Sequence, residues 1–557
     1  MKLAVLASLV LACAPIAHAT TVLSNAQIHT LNAQQPTAAA MAWDDAGRIL
    51  ALGETQALLL RYPEAQRIDA ANAVVVPGLI DAHAHLLGLA MALTGVDLVG
   101  ADSKDDVLRR AQQFAADLPP GDWLRGRGWD QNRWPEQAFP SAADLDAAFP
   151  DRPVWLERVD GHAGWANSAA LRALAQNLDG DWQPEGGRIE RIDGKASGVF
   201  VDGAMALIDA VAPPPSDALR TRALQSALAV AARNGLTGVH DMGVSLADLA
   251  LYRRFADAGK LTLRVTAYAD GDNAALAALC AMGRYRHASG RLDMAGVKLY
   301  ADGALGSRGA ALLADYDDQP HNRGLLLTAP AALRAAMVKA RDCGLQVATH
   351  AIGDRGNRIV LDAYQAVLAD AAGGDHRWRV EHAQIVAPGD IARFKTLKLI
   401  ASMQPTHATS DMPWAGARVG KARLFGAYAW RRFLDAGVPL ALGSDFPVEP
   451  VDPRLGLYAA VSRQDIDGQP AGGWLPEQRL RADEALRGFT RDAAWAGFAE
   501  NSVGTLKPGY RADFVVLDGD PLRVAARALL DLTVLSTWVD GEPVYQMPSH
   551  FVRPAAK

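Results

Sequence analysis

The sequence predicts an α/β fold, a (β/α)8 barrel of the TIM type inserted in a small β-sandwich that both chain ends form together. Strand-like apolar segments alternate with helix-like segments from residue 234 onward, which is typical of a parallel α/β fold. Short strand-and-turn patterns that could not form a domain alone occur at both ends of the chain. These two observations predict a barrel beside a sandwich completed by distant segments.

Composition limits the classes of partner. At 557 residues the chain is too long for one compact core, so a large domain with attachments is expected. A net charge of -6 with no basic run gives no reason to expect nucleic acid or an anionic membrane surface. A small-molecule substrate is therefore the expected partner, and a homodimer stays open.

The N-terminal segment, residues 1–19, has the form of a secretory signal. Lys2 precedes an apolar core from Leu3 to Leu11, and Ala17-His18-Ala19 forms a small-x-small cleavage site. The segment is too short to span a membrane, and no later stretch is apolar for long enough. We expect an exported protein, most simply periplasmic; the alternative is a lipoprotein anchored through Cys13.

Two cysteines remain after that segment, Cys280 and Cys343. Both lie in apolar surroundings, which favours two buried thiols. A disulfide stays open because an oxidising compartment would permit it.

The predicted domains follow the chain in order. Residues 20–73 and 500–557 carry hairpin patterns and form the two parts of the sandwich, while residues 74–499 form the barrel. The eight predicted barrel strands are Val74 to His85, Leu236 to Met242, Leu261 to Ala269, Gly296 to Asp302, Leu345 to His350, Trp378 to Gln384, Leu399 to Gln404 and Pro439 to Asp445.

An insertion of residues 93–215 follows the first barrel strand and is longer than one crossover needs. Loops after barrel strands lie over the active site, so the insertion is a candidate lid and substrate-binding wall. Its many tryptophans support a second interpretation, a satellite core packed by indole rings.

His83 and His85 end the first strand with one residue between them. Alternate residues of a strand share a face, so both imidazoles point the same way and supply half of a zinc site. A pair of solvated loop histidines is the alternative. Lys298, His350, His382 and Asp445 lie on or at the ends of four other strands, which favours the metal site.

The chain resembles the amidohydrolase superfamily, specifically its amidohydrolase-3 branch. The resemblance covers about 500 residues and rests on these stretches: Pro77 to His85, Gly128 to Asp130, Asp160 to His162, Gly238 to Asp241, Val297 to Gly303, His350 to Asp354, Glu381 to Gln384 and Gly443 to Pro447. It implies a metal-dependent hydrolase with a split sandwich beside the barrel.

The resemblance also implies a set of ligands. His83, His85 and Asp445 would hold a buried metal, and His350 and His382 a second one. Lys298, carboxylated by CO2, would bridge them as a carbamate, an anionic oxygen ligand. The expected cofactors are one or two Zn2+ ions per chain, with other divalent metals open, and the carbamate. Alternatively, Lys298 forms a salt bridge with Asp302 or another acid and the site holds one metal.

The resulting reaction is hydrolysis of a carbon–nitrogen bond. Metal-activated hydroxide would attack an amide, cyclic amide, N-formyl or carbamate carbonyl, with Asp445 as the general base that then serves as an acid. Ring deaminases on this fold commonly carry Glu where this chain has Gly353, so ring deamination is disfavoured. Lactone, ester or phosphotriester hydrolysis and non-catalytic ligand binding stay open. The candidate substrate-binding residues are His162, Trp165, Arg308, Gln404 and His407.

Overall fold

The computed structural model describes residues 20–271, 273–369 and 374–548. The segment interpreted as a secretory signal, with Cys13, lies outside these residues. Among the described helices, none combines the length and the apolarity that a membrane crossing requires.

The barrel is built from eight parallel strands in sequence order, each paired with the next. Its last strand meets the first through hydrogen bonds: Asp445 N donates to His83 O over 2.7 Å, and Ser444 N donates to the Asp81 carboxylate. The predicted barrel is therefore confirmed. Barrel strands 1 to 8 are Leu79–Ala84, Leu236–Val244, Arg264–Asp270, Leu292–Tyr300, Gln346–Ala351, Arg379–His382, Ile400–Met403 and Leu440–Leu442, and Tyr285–Arg286 pairs with strand 4.

The first predicted strand is in fact two strands. Val74–Pro77 pairs with Phe514–Leu517 in the sandwich, whereas Leu79–Ala84 belongs to the barrel. Gly78 joins them where a Cβ would lie 2.2 Å from Thr237 Oγ1. A residue without a side chain lets the backbone pass from the sandwich to the barrel at this close approach.

The sandwich joins both ends of the chain, as predicted. Trp43, Phe514 and Trp538 pack together in its core, with the last two rings stacked 5.3 Å apart. One sheet has the order Ile49–Gly53, Ala40–Trp43, Thr21–Ser24, Gln66–Asp69. The other has the order Glu542–Gln546, Val534–Val539, Phe514–Leu517, Val74–Pro77, Gln27–His29, Thr37–Ala38.

The insertion folds around a six-stranded sheet of its own. Trp129, Trp134 and Trp165 are buried together on this sheet, so the insertion does contain a satellite core. Its strands, in sheet order, are Gly187–Ile192, Lys195–Asp202, Ala163–Ala166, Val154–Arg158, Leu124–Trp129 and Val96–Asp97.

Helices cover the barrel and connect the sheets. Ser245 begins one of them with a capping box, in which its hydroxyl accepts from Asp248 N and the Asp248 carboxylate accepts in return. The α-helices are Thr55–Arg61, Leu86–Ala92, Lys104–Ala115, Ala142–Asp146, Ser168–Leu171, Ala206–Asp209, Asp217–Arg233, Leu246–Asp257, Asn273–Met282, Pro330–Asp342, Asp354–Leu368, Pro388–Thr396, Pro405–Arg423, Trp430–Asp435, Pro453–Ser462, Ala482–Gly488 and Arg491–Ala496. Short 3-10 helices are Gln131–Arg133, Gly203–Met205, Leu424–Gly426, Pro476–Gln478 and Ala526–Asp531.

Cys280 and Cys343 form a disulfide, with their Cα atoms 5.2 Å apart. The prediction of two free thiols is therefore wrong. Cys280 lies in the helix Asn273–Met282 and Cys343 ends the helix Pro330–Asp342, and these two helices pack against each other. Sequence alone did not place the two helices side by side.

Candidate metal centre

A cavity of about 350 Å³ lies at the C-terminal ends of the barrel strands. Barrel residues form its floor, and residues of the insertion supply part of its wall. From the barrel the cavity includes His85, Lys298, Tyr300, His350, His382 and Asp445, and from the insertion Arg127, Asp160 and His162.

His83, His85 and Asp445 come together where the first and last barrel strands meet. Asp445 Oδ1 lies 3.1 Å from His85 Nε2 and 3.5 Å from His83 Nε2. The potential ligand atoms of all three residues lie within 4.8 Å of one another. Two imidazoles and one carboxylate at this spacing suit zinc. Their role as ligands stays a prediction that this geometry supports.

Hydrogen bonds fix the orientation of three imidazoles. The Nδ1 atom lies 2.6 Å from Glu381 Oε2 in His83, 2.9 Å from Met242 O in His85, and 2.9 Å from Gln404 Oε1 in His382. Because a carbonyl or carboxylate oxygen can only accept here, each Nδ1 donates, which leaves Nε2 as the nitrogen that can bind a metal. Metal-binding histidines are typically held by such partners.

Glu381 and Arg379 form a fully buried ion pair beneath His83, with Arg379 Nε 2.7 Å from Glu381 Oε1. Arg379 also donates to Ala82 O over 2.6 Å. Our site prediction missed both residues. They occupy alternate positions of the buried strand 6, where two charged residues facing one side of a strand are unusual, and this pattern was the available signal.

Lys298 is buried beside this group, with Nζ 3.3 Å from His83 Nε2. Burial lowers the pKa of Lys298 to about 8, although Glu381 and Asp445 oppose the shift. Asp302, the proposed salt-bridge partner, accepts hydrogen bonds from three backbone N–H groups instead, those of Ala311, Ile352 and Gly353.

The second predicted pair, His350 and His382, has ring centroids 4.5 Å apart, and the His382 ring also lies 4.6 Å from that of His83. Here the described residues also contain a ligand group that we did not predict, His382, His407 and Asp445, again within 4.8 Å. His407, predicted to bind substrate, lies 3.6 Å from Asp445 Oδ2 through its Nε2.

Three buried atoms of the site lack a hydrogen-bond partner: His350 Nε2, His407 Nε2 and Asp445 Oδ1. Such atoms are costly to bury, so a missing ligand is their simplest explanation. The donor set, imidazole nitrogen with carboxylate oxygen, is one that divalent transition metals accept. The residues present therefore fit a metal.

The charge state suits metal binding as well. Burial lowers the pKa of His83, His350 and His382 well below the usual histidine value, which keeps the three rings neutral. Burial would raise the pKa of Asp445, but the neighbouring His83 and His85 outweigh it and lower that pKa, so the carboxylate stays ionised. Neutral imidazole and ionised carboxylate are the forms that bind metals.

His382 and Asp445 also hold strained backbone, with φ of 70° and 64° in the left-handed region. Non-glycine residues adopt this conformation at a cost that the surrounding structure must sustain, and they cluster at functional sites.

The five candidate substrate residues divide into two groups. His162 lines the cavity, Gln404 holds His382, and His407 lies beside Asp445. The other two have their polar partners elsewhere. Trp165 is buried in the insertion core, where its indole N–H donates to Ser141 O. Arg308 pairs with Asp318 at 2.9 Å. Trp165 is buried in the satellite core. The sequence pattern could not distinguish a tryptophan of this core from one that lines the cavity.

Comparison with known proteins decides the family, because a model of the amidohydrolase family matches residues 66–545. The chain belongs to the amidohydrolase family. The predicted enzyme class, a hydrolase acting on carbon–nitrogen bonds other than peptide bonds, is thereby confirmed, as is the dependence on a metal.

Similar proteins cover nearly the whole amidohydrolase chain. YtcJ of Bacillus subtilis (strain 168) is 34% identical over 90% of this chain and 94% of its own. An N-substituted formamide deformylase of Arthrobacter pascens is 32% identical over 94% of this chain and 97% of its own. The crystal structure of an uncharacterized metal-dependent hydrolase from Pyrococcus horikoshii OT3 superposes with a TM-score of 0.75 at 28% identity, covering 91% of this chain and 99% of that one.

Proposed function

We propose that this amidohydrolase is an exported zinc enzyme that hydrolyses the carbon–nitrogen bond of small N-substituted formamides and related amides. The carrying observation is the group His83, His85 and Asp445, whose potential ligand atoms lie within 4.8 Å of one another beside the cavity. The similarity to an N-substituted formamide deformylase over almost its whole length supports the choice of substrate. The cavity volume of about 350 Å³ suits a small molecule.

When bound, the metal supplies Lewis acidity, which makes a water nucleophilic and a carbonyl electrophilic. Asp445 orients the attacking water and accepts its proton, because its carboxylate is ionised and lies at the centre of the site. The same carboxyl group then delivers the proton to the leaving nitrogen, which departs as an amine. His83 and His382 contribute neutral, pre-oriented rings, and His85 contributes a ring that Met242 O orients.

Lys298 is proposed to carry the carbamate. Only a neutral amine reacts with CO2, and the pKa of about 8 that burial gives Lys298 increases the neutral fraction at physiological pH. One proton leaves to free the amine, and formation of the N–C bond with CO2 releases a second, so a buried cation becomes an anion. The Lys298 side chain then carries a negative charge beside the histidines in place of a positive one.

Export is supported by the disulfide. A bridge between Cys280 and Cys343 persists in an oxidising compartment and is rare in a reducing one. Together with the signal-like residues 1–19, it supports a periplasmic location. Lipidation at Cys13 is the alternative, which the mass of the mature N-terminus distinguishes.

The decisive experiment combines metal analysis with a substrate series. We expect zinc in the purified mature protein by elemental mass spectrometry, and the mass of an added CO2 by native mass spectrometry. N-substituted formamides should be hydrolysed faster than the matching acetamides, with esters and phosphotriesters as comparison substrates. No turnover of any amide after loading with zinc and bicarbonate would refute the proposal. Faster hydrolysis of esters than of formamides would make esters the substrate class instead.

A further inference from the structure

We propose that Arg127 binds a carboxylate on the N-substituent of the substrate, so that the preferred substrates are N-formyl amino acids and related amides that carry an acid group. The inference rests on the function proposed above and names a substrate class within it. Arg127 is then a specificity-determining residue, supplied by the insertion to a cavity whose reacting groups come from the barrel.

Arg127 is a cavity residue whose orientation the insertion fixes. It belongs to the strand Leu124–Trp129 and lines the cavity, with 17% of its side chain exposed. Its Nη1 donates to Glu157 Oε2 over 3.0 Å, and its Nη2 donates to Val159 O over 2.9 Å. Because a guanidinium is flat, bonds from two of its nitrogens also fix the directions of its remaining hydrogens.

One edge of this guanidinium has no partner. A Cβ at Gly161 would lie 3.1 Å from Arg127 Nη2 and 3.2 Å from Nη1, so the chain after Val159 approaches the edge between these two atoms. On the adjacent edge, Arg127 Nε is buried and has no hydrogen-bond partner among the described residues. The Nε and Nη2 hydrogens on that edge form a fork that matches the two oxygens of a carboxylate.

A charged donor without an acceptor is costly to bury, so a ligand that supplies the acceptor is the simplest explanation of Arg127 Nε. A neutral carbonyl would offer a single oxygen and no charge. A carboxylate offers two oxygens in one plane together with the opposite charge. The carboxylate of Glu157 is 39% exposed, so the charge that it supplies to Arg127 lies partly in solvent.

Two acidic residues of the cavity have cations of their own. Asp160 pairs with Arg158, and Asp248 pairs with Arg220. These carboxylates therefore do not need Arg127 as their partner. The free edge of Arg127 stays open to an anion that enters the cavity.

The wall that carries Arg127 reaches the metal centre within a few residues. His162 directly follows Gly161, and its ring centroid lies 5.2 Å from that of His350. In an N-formyl amino acid only three bonds separate the amide carbon from the carboxylate carbon. One small molecule can therefore place its amide at the metal centre and its acid group at Arg127.

The test is a substrate series of increasing length on the zinc-loaded protein. N-formylglycine, N-formyl-β-alanine and N-formyl-4-aminobutanoate are compared with neutral N-alkylformamides of the same length. We expect the best acid to exceed its neutral counterpart by about 10- to 100-fold in kcat/KM, because charged hydrogen bonds are the strong ones. The difference should appear mainly in KM, since the contact is made before and during the reaction. One length should be preferred, because Arg127 is held in place.

Substitution of Arg127 should remove this preference. In Arg127→Met we expect the ratio of acid to neutral kcat/KM to fall close to one, and Arg127→Lys, which keeps the charge but not the fork, should retain part of it. Arg125→Met is the matched control, because Arg125 belongs to the same strand and donates instead to Pro213 O over 2.6 Å. It should keep the wild-type ratio. If Arg127→Met does not fold, Arg127→Lys and the wild-type length series decide.

A second measurement needs no turnover. β-Alanine, the amine product of N-formyl-β-alanine, should bind zinc-loaded wild type at least about 10-fold more tightly than propylamine does by calorimetry, and Arg127→Met should lose this difference. Equal rates for acids and neutral formamides in wild type would overturn the inference and leave the proposed function intact. A preference that survives in Arg127→Met would also overturn it, by placing the carboxylate on the metal. Binding of β-alanine through Arg127 without hydrolysis of any amide would refute the proposed function and support the carboxylate site.

Discussion

The two ends of the barrel carry cavities of nearly equal size but opposite chemistry. The cavity at the C-terminal ends of the strands, here the upper cavity, measures about 350 Å³. A second cavity between the barrel and the sandwich, the lower cavity, measures about 370 Å³. In the lower cavity the charged groups satisfy one another: Arg264 pairs with Asp513 at 2.6 Å, and Arg286 pairs with Asp293 at 2.9 Å.

The upper cavity instead leaves buried atoms without partners, notably His350 Nε2 and Asp445 Oδ1. Volume therefore does not distinguish the functional cavity from the structural one. Buried imidazole nitrogens and carboxylate oxygens without partners do, because a bound metal would satisfy them.

The largest effect should follow removal of the metal from the upper cavity. Dialysis against a chelator should abolish measurable hydrolysis, since the expected Lewis acid is lost, and zinc with bicarbonate should restore it. Activity and zinc content are measured on the same samples. Full activity in a zinc-free preparation would show that the upper cavity does not work through a metal.

The next largest effect is expected from Asp445→Asn, which keeps the shape but removes the proton acceptor. We expect kcat to fall by about 1000-fold or more while much of the zinc is retained. Steady-state kinetics and elemental analysis check this expectation. The same substitution in the lower cavity, Asp513→Asn, should lower the melting temperature and leave kcat unchanged. Near-normal turnover by Asp445→Asn would remove this carboxylate from the proton transfer.

A smaller effect is expected from Gln404→Leu, which removes the acceptor for His382 Nδ1. Loss of such a partner typically weakens metal binding by about 10- to 100-fold, because the ring is no longer oriented. Gln404→Glu keeps an acceptor and should bind zinc more tightly than Gln404→Leu. Competition with a zinc chelator of known affinity measures the difference. Equal affinities in the two variants would show that His382 is oriented by packing alone.

Sequence periodicity was sufficient to predict the barrel because each strand is an apolar segment that can be recognised from its own residues. His83, His85, Lys298, His350, His382 and Asp445 could be named for the same reason: parallel strands end at one rim. Contacts between distant segments could not be read this way. The Cys280–Cys343 bridge depends on two helices lying side by side, and Trp165 was assigned to the cavity because periodicity does not show which face of the insertion sheet is buried.

Asp202 shows the same limit most clearly. Asp202 lies 2.6 Å from His162 Nδ1 and packs against Gly303, about 100 residues later in the chain, and nothing near Asp202 in the sequence marks these contacts. His162 was identifiable from its motif, but its partner was not. Residues that hold a site are harder to predict than residues that form it, because their partners come from another layer of the fold.

The smallest effect on catalysis should come from Arg264→Met in the lower cavity. Arg264 joins barrel strand 3 to the sandwich, with Nε and Nη2 at 2.6 Å and 2.8 Å from the two Asp513 oxygens, and a further bond to Asp540. Its removal leaves the buried Asp513 carboxylate without its cation, while Asp540 keeps Arg291 and Arg511. The loss should cost about 3 kcal/mol of stability. Thermal melting should therefore shift downward while kcat/KM and zinc content stay within twofold of wild type. A tenfold fall in kcat/KM without a change in melting would mean that the lower cavity is coupled to the chemistry, and that paired charges do not mark a purely structural region in this fold.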